Sequence, residues 1–161
     1  MTIDEWTERS DTRIYVGPQP FDLAREYAWL ADCDDDGAVV TFTGKVRGRN
    51  LGDEVSTLTL EHYPGMTEKA LAEIVAEARR RFSPRRVTVI HRVGALATGE
   101  QIVLVGVSGA HRGTAFAAAE FIMDYLKTRA PFWKRETTAQ GSRWVDARDS
   151  DRKAADRWQV T

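Results

Sequence analysis

Ala38-Val39-Val40-Thr41-Phe42-Thr43, then Val55-Ser56-Thr57-Leu58-Thr59-Leu60-Glu61-His62-Tyr63, with no helical pattern between them, is the stretch that decides the fold class. The first run is rich in β-branched residues and predicts a buried strand ending at the polar loop Gly44-Lys45-Val46-Arg47-Gly48-Arg49-Asn50. The second alternates Leu58 and Leu60 against Thr57, Thr59 and Glu61, the period of a strand, and Pro64-Gly65 stops it. Two strands in direct succession argue for an α+β class rather than a doubly wound parallel sheet, where a helix would separate them.

Working outward, Thr67 is placed to cap a helix whose apolar stripe is Ala70, Leu71, Ile74, Val75 and Ala78, with Glu68, Glu73, Glu77 and Arg79 to Arg81 facing water and Pro84 beyond its end. Residues 87–93 read as a strand, and residues 101–107 form a nearly continuous apolar run, as expected of a central strand covered on both faces. The spacing predicts a helix over about 112–130, burying Phe116, Ala119, Phe121, Ile122, Met123, Tyr125 and Leu126 and ended by Pro131. Residues 132–136 and 143–146 then suit a short hairpin turned near Gln140-Gly141. Upstream, residues 21–30 have helical spacing. One domain over residues 1–161 accounts for the whole chain, with residues 1–20 as an N-terminal extension and 149–161, polar apart from Trp158, as a C-terminal tail or frayed helix.

Composition narrows the function classes. With 23 Lys+Arg against 24 Asp+Glu, the net charge of -1 supplies no global field toward nucleic acid or an anionic membrane, so any anion site must be local. No apolar run reaches the roughly 20 residues needed to span a bilayer, and Met1-Thr2-Ile3-Asp4-Glu5-Trp6 lacks the basic start of a signal peptide, so a cytoplasmic protein is expected. The single cysteine, Cys33, lies among Asp32, Asp34, Asp35 and Asp36, whose charges disfavour a thiolate nucleophile. No metal-ligand spacing, Gly-x-Ser-x-Gly elbow, P-loop or dinucleotide fingerprint occurs.

Local cation clusters are what remain. His111 and Arg112 open the long helix, where unpaired N–H groups and the helix dipole favour an anion. Lys127 lies some four turns further on, at about 60° around the axis, so one small molecule cannot easily touch both ends of a straight helix. Lys45 and Arg47, between Gly44 and Gly48, are open to two readings, solvated charges or ligand contacts. Lys134 and Arg135 alternate with Phe132 and Trp133, equally compatible with a site or an ordinary half-buried edge. His62 and His91 read as packing or hydrogen-bonding residues.

Four stretches carry a resemblance: Gly37-Ala38-Val39-Val40-Thr41-Phe42-Thr43-Gly44-Lys45-Val46-Arg47, Leu60-Glu61-His62-Tyr63-Pro64-Gly65-Met66, Ser108-Gly109-Ala110-His111-Arg112, and Tyr125-Leu126-Lys127-Thr128-Arg129-Ala130-Pro131-Phe132-Trp133-Lys134-Arg135-Glu136. In order and spacing they resemble the large, catalytic subunits of molybdopterin synthase, over about residues 21–158. The resemblance implies an α/β-hammerhead fold with an additional small antiparallel sheet, and a homodimer of large subunits within a heterotetramer. Each large subunit would bind a small ubiquitin-like subunit whose C-terminal Gly-Gly is a thiocarboxylate. It implies a sulfurtransferase that places two sulfurs on cyclic pyranopterin monophosphate to form the dithiolene of molybdopterin.

Carried over by position, Lys127 and Lys134 are the catalytic candidates, and Lys45, Val46, Arg47, His111, Arg112, Lys127, Lys134, Arg135 and Glu136 the substrate-binding ones. No metal and no resident cofactor are implied, because sulfur arrives on the partner. Two other readings are a non-catalytic adaptor that clamps a ubiquitin-like tail and a phosphometabolite-binding protein acting alone. The full set of cations argues against the adaptor, and the phosphometabolite reading predicts ligand binding without a partner.

Overall fold

The apolar run at residues 101–107 becomes the interior of a five-stranded sheet in the computed structural model, which describes residues 7–9, 11–146 and 148–159. Along the chain the elements are β1 (Thr7–Arg9), β2 (Thr12–Gly17), α1 (Leu23–Leu30), β3 (Ala38–Lys45), β4 (Arg49–Asn50), β5 (Asp53–His62), α2 (Met66–Phe82), β6 (Val87–Arg92), β7 (Gly94–Ala97), β8 (Gln101–Gly109), α3 (Arg112–Arg129), β9 (Phe132–Thr138), β10 (Gly141–Val145) and α4 (Asp149–Asp156). The large sheet runs β1-β2-β6-β8-β3, with only the β2–β6 pair parallel. A second, antiparallel sheet runs β10-β9-β5-β4, with β7 also on β5. The architecture is α+β, and the additional antiparallel sheet is present.

Period-2 alternation explains why β8 is apolar on both sides. Val103, Val105 and Val107 join the core beneath α2 and α3, with Leu71, Ile74, Val75, Phe121 and Ile122. Leu104 faces the other way, with Tyr15, Phe21 and Ile90, on the side that α1 covers. Gly106 leaves room for Leu30, since a Cβ would come within 2.4 Å of Leu30 Cδ1 and force that side chain to shift. A third cluster of Val46, Leu58, Leu60 and Leu96 seals the small sheet. Among the described residues no helix is long and apolar enough to cross a membrane.

Several expectations are corrected. The N-terminal segment is not merely an extension: β2 pairs in parallel with β6 and Ile14 is a core residue, although residues 1–6 and 10 lie outside the described set. Strand β3 is an edge rather than a buried strand, which leaves Phe42 44% exposed. Phe116, expected in the core, is 60% exposed, because Ala115, Ala118 and Ala119 give α3 its contact there instead. Gly65, at φ 84°, occupies the N-cap of α2, its amide held by Glu68, while Thr67 is buried and donates to the Tyr63 carbonyl. Arg79 does not face water: its guanidinium donates to the carbonyls of Asp11, Pro84 and Arg85 and to Thr12 Oγ1, tying α2 to the start of β2. At the other terminus, residues 149–156 form α4, and Trp158 packs edge-on against Phe82 and Phe121 while its indole donates to Asp124. Residues 160–161 of the expected tail lie outside the described residues.

Candidate active site

A cleft of about 330 Å³ is lined by residues of both sheets, the C-terminal end of α3 and the start of α4. It gathers Lys45, Val46, Arg47, Lys127, Lys134 and Glu136, which the sequence places in two stretches some 80 residues apart.

Each arrives for a local reason. The β3–β8 register shifts between Gly44 and Lys45, a bulge of the kind that re-aims an edge strand and ends its pairing. The following backbone is held by Val46, whose amide donates to the Glu100 carbonyl and whose carbonyl accepts from Gly99, so Lys45 and Arg47 flank a buried Val46. At Gly44 a Cβ would lie 2.8 Å from Val103 Cγ1, so the absence of a side chain serves packing there. Lys127 stands in the last turn of α3, where a cation complements the helix dipole, beside the buried anchor Leu126. On β9, Phe132, Lys134 and Glu136 lie opposite His62, Leu60 and Leu58 and share their inner face.

The same alternation carries Arg135 out of the cleft, where it pairs with Trp144 and holds its guanidinium 5.8 Å from that ring. His111 and Arg112 are likewise not brought in. They open α3, and the register pairs Ala38 with Gly109 but Lys45 with Gln101, so the two ends of the β3–β8 ladder separate them from Lys45. His111 occupies the N-cap without a side-chain capping bond, and both side chains are exposed.

Asn50, His91 and Arg148, which sequence reasoning did not assign to the site, also line the cleft. Arg148 Nη2 donates to Asn50 Oδ1 at 2.7 Å, and Asn50 Nδ2 donates to Glu136 Oε1 at 2.5 Å. Arg143 closes the network, reaching Glu136 at 3.1 Å and Asp53 at 2.7 Å. Glu136 is thus a buried, fully engaged carboxylate that sets the position of Asn50 and, through it, Arg148. A loop asparagine and an arginine in a polar segment have no periodic or motif signal, so only the pairing of distant elements reveals them.

Five cationic side chains and three carboxylates line the cleft, and one of the carboxylates, Glu136, is already committed to Asn50 and Arg143. The cationic excess makes an anion the natural occupant. Burial, and then the close approach of the Lys127 amine, lower the Lys134 pKa to about 8, with Asp151 opposing and Arg148 adding to the shift. An amine in that range can hold or release a proton near neutral pH, which an ordinary lysine does not.

The MoaE protein family model matches residues 16–129. The molybdopterin synthase catalytic subunit of Escherichia coli is 69% identical over 149 residues, covering 92% of this chain and 99% of that protein. Among solved structures, the molybdopterin biosynthesis MoaE protein from Burkholderia ambifaria superposes with a TM-score of 0.78 at 52% identity, covering 92% of this chain and 98% of that one. A complex of subunits 1 and 2 of the molybdopterin-converting factor from Helicobacter pylori shares the fold, with a TM-score of 0.69 at 20% identity over 84% of this chain and 91% of that one. A family match across most of the chain and a relative this similar over nearly the whole of both proteins mean that this chain belongs to the MoaE family of molybdopterin synthase catalytic subunits.

Proposed function

We propose that the chain transfers sulfur from the thiocarboxylated C-terminus of a small ubiquitin-like subunit to cyclic pyranopterin monophosphate, twice, to build the dithiolene of molybdopterin. The observation that carries this reading is the convergence of Lys45, Arg47, Lys127, Lys134 and Arg148 on one cleft, with Lys134 tuned to titrate near pH 8. Substrate phosphate and partner thiocarboxylate are both anions, and the cleft is built of cations.

In this reading Arg47 and Arg148 hold the phosphate with their planar donor forks. Lys127 lies nearest the incoming tail and polarises its carbonyl. The thiocarboxylate sulfur attacks a side-chain carbon of the pterin, a C–S bond forms and that carbon's C–O bond breaks: a hydroxyl oxygen leaves as water with a proton from the lysine pair, whereas an ester oxygen stays on the phosphate and the cyclic ester opens. Water then attacks the acyl carbon, the bond between that carbon and sulfur breaks, and the tail departs as a carboxylate with the sulfur left on the pterin. A second tail repeats the cycle. Sulfur comes from outside because Cys33 is far from this chemistry in kind, a half-buried thiol among aspartates. The reading therefore asks for no resident cofactor, and it suits the reducing cytoplasm, where a thiocarboxylate survives.

His111 and Arg112 fit the same substrate only from a second copy of the chain, in a homodimer of large subunits within a heterotetramer. The exposed Phe116, one turn into α3, supports a covered surface near them. Arg135, on the outer face of its strand, is left to the partner-facing side of the hairpin.

The test is reconstitution of the purified chain with the pyranopterin and the thiocarboxylated small subunit, followed by a dithiolene assay. Product is expected only with all three components. Lys127→Ala should nearly abolish product while small-subunit binding stays measurable, and near-normal turnover would remove Lys127 from the mechanism. Tail binding without product by the unmodified chain would select the adaptor reading.

A further inference from the structure

His91 lines the cleft with no part in the chemistry above. Its residue is buried, and the ring stacks on Phe132 with centroids 3.8 Å apart and planes 18° from parallel. Nδ1 lies 2.8 Å from the Arg92 carbonyl, an oxygen that can only accept, so Nδ1 carries the proton and Nε2 is left with a lone pair. Nε2 has no hydrogen-bond partner among the described residues, yet it is not one of the fully enclosed, unsatisfied atoms of the interior. Burial first, then the charges of Lys134, Lys127 and His62, depress the imidazole pKa to about 3, against the raising effect of the Arg92 carbonyl. The ring is neutral throughout the physiological range.

A neutral acceptor is unusual in this setting. Ammonium and guanidinium groups attract an anion but have no lone pair to offer an N–H or O–H group. Of the three carboxylates, Glu136 is buried but engaged by Asn50 and Arg143, and Asp146 and Asp151 are not buried, so His91 is the buried acceptor left uncommitted. A reduced pterin carries N–H donors along its ring edge, and a ligand bound only through its phosphate would leave them facing cations. We propose that His91 is a specificity-determining residue of the cleft, whose Nε2 accepts a hydrogen bond from a donor N–H of the pterin and so distinguishes it from other phosphate esters. The inference rests on the pterin reading of the cleft and adds the contact that orients the ring, where the cations hold the charge.

The unmodified protein, labelled with ¹⁵N-histidine, tests the contact directly. Before ligand, His91 is expected as the Nδ1–H tautomer, and its unprotonated Nε2 resonance should move upfield on saturation with cyclic pyranopterin monophosphate. A cationic His91 above pH 5, or an Nε2 resonance unmoved at saturation, overturns the proposal. In turnover, His91→Phe keeps the stacking ring without the acceptor and should raise KM for the pterin about tenfold with kcat within about twofold and small-subunit affinity unchanged. His91→Gln, whose carbonyl reaches the Nε2 position, should recover most of that loss. A purely structural ring would leave His91→Phe at the parent KM, and that result also overturns the proposal. Loss of product in Lys127→Ala beside an unaffected His91→Phe defeats only the His91 contact, whereas absence of product from the unmodified system defeats the function itself.

Discussion

Lys134 shows at the scale of one residue how the fold changes chemistry. Its folded pKa of about 8 lies below the ordinary 10.5, so between those values the unfolded chain binds more protons and stability rises with pH. Below about pH 8 both states are protonated and the burial penalty is felt in full. Lys134→Met is therefore expected to stabilise the protein at pH 7 by on the order of 2 kcal/mol, with the gain fading as pH approaches 10.5, measured by urea unfolding at several pH values. Because burial outranks the Lys127 charge among the causes, Lys127→Met should move the NMR titration midpoint of Lys134 upward without restoring 10.5. An unmoved midpoint would mean that burial alone sets the value. Neither effect is legible from Lys134 and its neighbours in sequence, since the groups responsible come from α3, α4 and the small sheet.

Among elements, β9 contributes most to the cleft, with Phe132, Lys134 and Glu136. Its alternation puts Phe132, Lys134 and Glu136 on one face and Arg135 on the other, a division any period-2 reading contains once the strand is recognised. What that reading lacks is the partner. Glu136 acts by gripping Asn50, 86 positions away, and Arg143 across the hairpin. Glu136→Ala should leave a folded protein whose kcat/KM for the pterin falls about tenfold or more, because Asn50 and Arg148 lose their shared support. Unaltered kinetics would detach this network from the site. At the C-terminus, Trp158 fastens α4 through Phe82, Phe121 and Asp124, and α4 contributes Asp151 to the cleft. Trp158→Ala is expected to cost about 2–4 kcal/mol in urea unfolding and to raise KM for the pterin, showing that the polar terminal segment supports the site.

Across the whole molecule, the long helix α3 keeps its two chemically loaded ends apart. Lys127 joins the cleft while His111 and Arg112 stand at the opposite end, about 22 Å away along the axis. If those residues serve a neighbour's cleft, Lys127→Ala and Arg112→Ala should complement each other. In a mixed dimer one site carries both substitutions and the other neither, so an equimolar, fully exchanged mixture should recover about a quarter of parent turnover when each variant alone is inactive. No recovery, with exchange verified by mass, would assign His111 and Arg112 to some other role.

By itself the sequence determined most of the elements between residues 21 and 145, the α+β class and the chemical character of the site, but neither the core strand β2 nor α4. Hydrophobic period is a property of neighbouring residues, and Lys45, Arg47, Lys127 and Lys134 declare their charge wherever the chain goes. Only the tertiary structure decided which of those charges meet. The β3–β8 register, the bulge at Gly44 and Lys45 and the pairing of β9 with β5 are non-local, and each sets the direction of side chains by single-residue steps. The same long-range pairing placed Ile14 in the core, left Phe42 and Phe116 exposed, and buried His91 beside two lysines, where desolvation lowers its pKa to about 3.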